Sequence, residues 1–279
     1  MKLISATAHH CLWMAEGGLS KMKLLVQSDD YGFTKGIVDG MCDAFENGII
    51  TSVGLFANMP CREYAVKRIK DYPHICFGID INVVSGPSVA DPKLLPTLVN
   101  PETNMFYRTS ERIRDPRWGQ DVFKPYDEVF IEGCAQVEKF IELVGKKPEY
   151  LTSHSTGGSQ TYLDAIRDVA ARYDIPFSKA KYKEYGLEML KEDVEIKGDM
   201  FSYENQARDR VESVLAALEK NKDKEYVLLG SHCGYVDGEL IGLTRMNLER
   251  AMDHRMLTSE KIKKWIKDNG VELISFRDL

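Results

Sequence analysis

The chain has 279 residues, with 37 lysines and arginines against 43 aspartates and glutamates, which gives a formal net charge of −6. Nucleic-acid-binding proteins usually carry a basic surplus, so this balance argues against a nucleic-acid partner. Hydrophobic residues make up 43% and charged residues 29% of the chain, which supports a sizeable core and excludes disorder as the dominant state. At this length the chain fits either two ordinary domains or one large α/β barrel.

Cysteine usage and hydropathy indicate the compartment. The six cysteines are scattered without a CxxC pair, as is typical of reduced intracellular proteins. No apolar run approaches the roughly 20 residues that span a bilayer, and His9 and His10 interrupt the N-terminal stretch before a signal-peptide core forms. We therefore expect a cytoplasmic protein without membrane contact. Residues 1–21 are predicted to be a leader that is disordered or precedes the native start, and residues 22–279 a single domain.

From residue 23 onward, short apolar runs alternate with amphipathic stretches, a pattern typical of parallel strands joined by crossover helices. The predicted strands are residues 23–28, 51–57, 75–83, 150–153, 226–230 and 271–276, with a further strand starting at 175–178. The predicted helices are residues 35–47, 62–71, 126–144, 162–173, 205–221, 245–257 and 259–269. Residues 85–125 break the pattern and are predicted to form a long loop over one end of the sheet.

Polar residues follow several of the predicted strands, at the edge where parallel α/β proteins build their sites. Asp29 and Asp30 come directly after the first strand, before Tyr31 and Gly32. Adjacent residues on an extended strand point to opposite sides. One carboxylate can therefore bind a metal while the other, after a local turn, faces substrate. Turn formation or helix capping is the alternative role for this pair.

Three further polar residues are predicted to lie at the same edge of the sheet. Asp80 lies in an otherwise apolar strand, where a carboxylate needs a metal, several donors or a salt bridge to Lys or Arg. His154 ends a strand and enters a loop of small residues, and a structural role is its alternative. His232 follows a buried strand and suits a general acid. Carboxylates with an imidazole form a ligand set for a divalent ion that activates water, with Mg²⁺ or Mn²⁺ favoured and Zn²⁺ not excluded.

Three stretches carry a family resemblance, namely residues 24–60, residues 145–157, and residues 231–240 together with the closing 270–279. In these stretches the sequence resembles the YdjC-like carbohydrate deacetylases, the family that includes chitooligosaccharide deacetylase. The resemblance implies a TIM-barrel-like (β/α) barrel related to the polysaccharide deacetylases. It also implies hydrolysis of the acetamide of an N-acetylated sugar with one divalent metal ion at the carboxyl end of the barrel.

Carried over residue by residue, the resemblance implies specific roles. Asp29 would be the general base and His232 the general acid. Asp30 and His154 would be metal ligands, and Arg250 matches a family arginine in the helix after His232.

The sequence also departs from the family pattern at the predicted site. Asp80 stands where the family usually has a metal-binding histidine, and Thr152 stands where it has an aspartate. Because a carboxylate can still ligate a metal, Asp80 completes the predicted metal ligands with Asp30 and His154. The predicted substrate contacts are Arg250, Tyr31 and Asn82.

The predicted function is metal-dependent deacetylation of an N-acetylated amino sugar or oligosaccharide, with Mg²⁺ as the first expected ion and Zn²⁺ or Mn²⁺ as alternatives. A non-catalytic carbohydrate-binding or regulatory barrel is the alternative from a different class. Cleavage of a phosphorylated disaccharide is a third hypothesis and would need two carboxylates flanking the bond. A small carbohydrate is the expected partner, and a homodimer is expected because two-fold dimers are the commonest closed assembly.

Overall fold

A parallel sheet curled into part of a barrel organises the computed structural model, which describes residues 22–117, 123–155 and 159–279. The leader predicted for residues 1–21 lies outside these residues. The strands are β1 (Lys23–Tyr31), β2 (Ser52–Leu55), β3 (Cys76–Ile81), β4 (Val99–Asn100), β5 (Met105–Phe106), β6 (Leu151–Ser153), β7 (Glu188–Met189), β8 (Tyr226–Ser231) and β9 (Glu272–Ile274). The sheet order is β6-β3-β2-β1-β8-β7, with β9 also paired to β1, and every pair in it is parallel.

Helices connect the strands, as crossover connections require. They are α1 (Lys35–Asn47), α2 (Arg62–Ile69), α3 (Thr109–Arg112), α4 (Tyr126–Val144), α5 (Gln160–Tyr173), α6 (Ser178–Tyr185), α7 (Tyr203–Gln206), α8 (Val211–Lys220), α9 (Gly238–Leu243), α10 (Leu248–Leu257) and α11 (Glu260–Asp268). None of the helices in the part of the chain that the structure describes is both long and apolar enough to cross a bilayer.

Strand β1 shows how the sheet divides the core into two layers. Leu24 and Val26 belong to the large hydrophobic cluster that the helices cover, whereas Leu25 belongs to a smaller cluster on the opposite, inner face. Side chains alternate along a strand, so Gln27 and Asp29 follow Leu25 onto the inner face. The barrel interior is therefore apolar at one end and becomes polar toward the carboxyl ends of the strands.

The structure confirms several predicted elements and corrects others. The helices predicted at 35–47 and 126–144 have the predicted bounds, and the second ends at Gly145 with a left-handed φ of 79°. The strand start predicted at 175–178 is wrong, because Phe177 forms only an isolated bridge and α6 begins at Ser178. The single helix predicted at 205–221 is two helices, α7 and α8, and the Asp209 carboxylate between them accepts the Val211 N–H at 3.1 Å.

The segment predicted as a long loop at 85–125 has local order in its described part. It contains a 3₁₀ turn at Pro92–Leu94, the antiparallel β4–β5 pair and α3. Arg112 is buried and donates to the carbonyl oxygens of Thr97 (2.5 Å) and Leu98 (3.3 Å). Hydrophobic periodicity cannot predict hydrogen bonds of this kind, from a side chain to backbone carbonyls.

Glu132 on α4 anchors the start of this segment. Its buried carboxylate accepts the N–H groups of Val89 and Ala90, each at 3.0 Å, and the side-chain amide of Gln136 at 2.7 Å. Burial raises the pKa of Glu132 to about 7, although these donors act to lower it.

We expect Glu132→Gln to become more stable relative to the unmodified protein as pH rises. The folded pKa is raised, so the stability this carboxyl contributes is complete below its unfolded pKa and is lost as pH rises toward 7. At about 1.4 kcal/mol per pKa unit, that loss reaches about 3 kcal/mol. Urea unfolding at about pH 5 and about pH 7.5 measures the difference. The exposed Glu142→Gln on the same helix is the control, and equal pH dependence of the Glu132 variant and the unmodified protein would contradict the expectation.

Candidate functional site

A β-bulge brings the two adjacent aspartates of β1 to one place. The register of β1 against β2 shifts between Ser28 and Tyr31, and Asp30 has a left-handed φ of 73°. An extra residue in one strand bends it and re-aims side chains. Asp29 already faces the barrel interior by strand alternation, and the bulge turns Asp30 toward the same end. The local turn expected at this pair is therefore present.

Asp30, Asp80 and His154 converge at the carboxyl end of the sheet. One potential ligand atom from each residue lies within 4.8 Å of the others. The Asp30 Oδ1 is 3.0 Å from His154 Nδ1, and the Asp80 Oδ2 is 3.8 Å from the same nitrogen. Asp30 lies on β1 and Asp80 on β3, and His154 directly follows β6. The three strands belong to one parallel sheet, in the order β6-β3-β2-β1.

The surroundings of Asp80 fit a cation. Its side chain is 1% exposed, and neither carboxylate oxygen accepts a hydrogen bond from the described residues. Burial, together with the charges of Asp29 and Asp30, raises the pKa of Asp80 well above its usual range. The alternative salt bridge to Lys or Arg is absent from the ion pairs of the described residues. Two oxygen donors and one imidazole nitrogen suit a divalent ion.

Arg250 holds Asp30 from the outer side. The guanidinium is 2% exposed, and its Nη2 donates to Asp30 Oδ2 at 2.6 Å while its Nε donates to the Met246 carbonyl at 2.9 Å. Burial acts to raise the pKa of Asp30, but Arg250 and His154 hold it well below its usual range. Asp30 is thereby kept ionised. The buried guanidinium is therefore a partner of Asp30, and the substrate contact expected for Arg250 stays a prediction.

Asp29 has a different environment. Gln27, two residues earlier on the same strand face, donates its side-chain amide to both Asp29 oxygens, at 2.8 and 3.0 Å. Burial and Asp30 raise the pKa of Asp29, whereas His232 and the Gln27 amide act to lower it. This carboxylate is therefore close to Asp30 and Asp80 but is held by a neutral amide.

His232 follows β8 and is fixed through its backbone. Its N–H donates to Asp253 Oδ2 at 2.7 Å, and Asp253 is 1% exposed and also accepts from Arg210. The half-buried imidazole lies near enough to Asp29 and Asp30 to act on the pKa of both carboxyls. Asp253 and Arg250 are three residues apart on α10, so one face of this helix binds both the His232 backbone and Asp30.

Gly54 on β2 provides the space between these groups. A Cβ atom at this position would lie 2.9 Å from Asp29 Oδ1 and 2.9 Å from the Cβ of Asp80. Such distances are too short for carbon, so a side chain here would push the carboxylates apart. Glycine inside a strand often marks a close approach of this kind, which is the signal that could have identified Gly54 from sequence.

Two predicted substrate contacts lie elsewhere. Tyr31 is fully buried, and its hydroxyl donates to the Ala65 carbonyl at 3.1 Å, because the bulge at Asp30 returns the next side chain to the core. The Asn82 side chain is also fully buried, and it binds Asn58, Val84 and Ser85 with both its oxygen and its nitrogen. Asn82 therefore shapes the turn after β3, and the substrate contacts expected for Tyr31 and Asn82 stay predictions.

The prediction missed the residues that hold the charged groups. Gln27 was accessible in principle, because it shares a strand face with Asp29 through the two-residue repeat. Asp253 and Arg210 were not, since their bond joins residues that are 43 positions apart in the chain. Positions 156–158 of the small-residue loop after His154 lie outside the described residues.

A family model described as YdjC-like protein matches residues 23–268. The chain belongs to the YdjC-like family. It is 29% identical over 264 residues to carbohydrate deacetylase 2 of Listeria innocua, covering 92% of this chain and 99% of that one. It is 28% identical over 263 residues to the carbohydrate deacetylase of Thermoanaerobacter pseudethanolicus, covering 91% and 97%.

A solved structure has a fold similar to that of this YdjC-like protein. A crystal structure from Enterococcus faecalis, described as a cellobiose-phosphate cleavage protein, superposes with a TM-score of 0.74 at 20% identity. The match covers 92% of this chain and 98% of that chain. Both the predicted family and the predicted barrel-like α/β fold are thereby confirmed.

Proposed function

We propose that this YdjC-like protein is a metal-dependent hydrolase that removes the acetyl group from an N-acetylated amino sugar or short oligosaccharide. The observation that carries the proposal is the cluster of the buried Asp30 and Asp80 with the half-buried His154, in which both Asp80 oxygens lack a donor among the described residues. Full-length relatives named carbohydrate deacetylase support the substrate class.

The ligand set suits the proposed ion. Asp30, Asp80 and His154 would hold it, and the two carboxylates favour Mg²⁺, with Mn²⁺ and Zn²⁺ as alternatives. When bound, a divalent cation supplies a Lewis acid that activates water and offsets negative charge on the carbonyl oxygen.

The chain's own residues supply the proton transfers. Asp29 is the proposed general base, and it is close to the ligand cluster without belonging to it. His232 is the proposed general acid that protonates the departing amine. Arg250 keeps Asp30 ionised, so that this oxygen donor remains available to a cation. A small carbohydrate is the proposed partner, while the cytoplasmic location and the homodimer stay predictions.

Acetate release from N-acetylated chito-oligosaccharides tests the proposal. We expect release in the presence of Mg²⁺, Mn²⁺ or Zn²⁺, loss of release on chelation, and recovery when the cation is returned. Asp29→Asn should lower kcat by about 100-fold or more, because a general base contributes 10²–10⁴-fold. Its cation affinity should remain unchanged.

Two outcomes of the same assay would contradict the proposal. Sugar binding by calorimetry without turnover under any of the three cations would indicate a binding protein. Cleavage of a phosphorylated disaccharide without acetate release would indicate a glycosidic reaction.

A further inference from the structure

The side chain of Gln27 links the site to the barrel interior. It is 4% exposed, and its Nε2 donates to both oxygens of Asp29. Its Oε1 accepts the hydroxyl of Tyr182 at 2.6 Å. A hydrogen-bonded chain therefore runs from Tyr182 on α6 through Gln27 on β1 to Asp29.

The chemistry of the three groups fixes the direction of every bond. Both Asp29 oxygens lie within hydrogen-bond distance of the Gln27 nitrogen, so the amide presents its NH₂ group to Asp29. Its oxygen then faces Tyr182, which must donate. Burial and the charge of Asp29 raise the pKa of the Tyr182 phenol, so its proton is retained. A flipped amide would turn its oxygen toward the Asp29 oxygens and lose both bonds there, whereas the Tyr182 hydroxyl could accept from its NH₂ group.

Packing fixes Tyr182, the residue at one end of this hydrogen-bonded chain. The Tyr182 ring centroid is 6.0 Å from that of Phe276, and Phe276 in turn stacks on Tyr150 at 3.9 Å. Tyr150 and Phe276 belong to the inner hydrophobic cluster, against which Tyr182 is packed. The hydroxyl that orients Gln27 is thus attached to a packed aromatic group.

We propose that Gln27 and Tyr182 are positioning residues that orient the Asp29 carboxylate toward the attacking water. This inference rests on the proposed role of Asp29 as the general base. The amide gives the base two hydrogen bonds from a neutral donor. The buried guanidinium of Arg250 instead binds Asp30. The two neighbouring aspartates thereby receive different partners for different tasks.

Gln27→Met and Tyr182→Phe test the proposal through kinetics and cation binding. Gln27→Met is expected to lower kcat by about 10- to 100-fold, because a hydrogen bond to a charged group is lost. KM and the Mn²⁺ affinity measured by calorimetry should stay within about 2-fold, since Asp29 is outside the cluster of Asp30, Asp80 and His154. Tyr182→Phe should lower kcat less, by about 3- to 10-fold, because Asp29 still holds the amide.

A matched control and a double variant separate positioning from packing. Tyr126→Phe removes a hydroxyl that donates to Asp168 at 2.8 Å between the outer helices α4 and α5, and it should leave kcat unchanged. Adding Tyr182→Phe to Gln27→Met should cause no further loss of kcat, because both act through one chain of bonds. Additive losses, or a lower melting temperature with unchanged kcat, would overturn the proposal.

An equilibrium measurement distinguishes failure of this proposal from failure of the proposed function. In a double-mutant cycle of Gln27→Met with Asp29→Asn, the unfolding equilibrium constants should show coupling of about 10-fold or more. If the protein releases no acetate, the proposed function is wrong, and Gln27 then has no catalytic role. The unfolding cycle would still show whether Gln27 and Asp29 interact. Coupling near unity would overturn the Gln27–Asp29 interaction itself, whatever the activity.

Discussion

Arg250→Met is expected to destabilise the cation-free protein by about 3–5 kcal/mol, because it leaves the buried Asp30 carboxylate without its charged partner. In a protein of this size that corresponds to a fall in melting temperature of about 10 °C. A divalent cation should restore part of the stability, since it binds the folded state at the same carboxylates. Differential scanning calorimetry with and without Mn²⁺ measures both effects.

The double variant Asp30→Asn with Arg250→Met serves as the control for this expectation. It removes both charges of the pair, so it should be more stable than Arg250→Met alone while losing cation affinity by about 100-fold or more. The single variant would retain Asp30 and should still bind the cation. Equal melting temperatures for Arg250→Met and the unmodified protein in chelator would show that the ion pair does not hold the site together.

Asp80→Asn is expected to stabilise the cation-free protein and to weaken cation binding. The pKa of Asp80 is raised, so the stability this group contributes is present at low pH and lost as pH rises. The amide is neutral at every pH, and we expect its advantage to grow with pH and to reach about 1–3 kcal/mol near neutrality. The Mn²⁺ dissociation constant should rise by about 100-fold, because one of three protein ligands loses its charge.

Asp80→His is a second test of the same position. It introduces the imidazole that the family resemblance implies for this position, and nitrogen ligands favour Zn²⁺ relative to Mg²⁺. Calorimetric titration with each ion should show the ratio of Zn²⁺ to Mg²⁺ affinity increasing. Asp71→Asn, at an exposed position, is the matched control and should change neither stability nor affinity. An unchanged preference in Asp80→His would mean that Asp80 is not a ligand.

Sequence patterns could predict the strands and the groups at their ends. Alternating apolar runs define β1, β3 and β8, and Asp30, Asp80 and His154 meet because parallel strands end at one edge. The bulge at Asp30 depends on a register shift against β2, which no local pattern encodes. That shift returns the Tyr31 side chain to the core, which the sequence pattern did not predict.

Long-range partners were the part that sequence could not supply. Arg250 and Asp30 are 220 positions apart, and their contact depends on how α10 packs against α1, the helix that follows β1. A family match identified Arg250 as notable but not which group it binds. Gln27 shows the intermediate case, since its strand face was predictable and its bond to Tyr182 was not.

The most direct test of the account is anomalous diffraction from crystals grown with Mn²⁺. We expect one strong peak within bonding distance of Asp30, Asp80 and His154, with Arg250 still bound to the other oxygen of Asp30 and with Asp29 outside the coordination shell. A peak elsewhere, or no peak at this cluster under conditions in which the crystallised protein hydrolyses its substrate, would contradict the assignment of these three residues as the cation site.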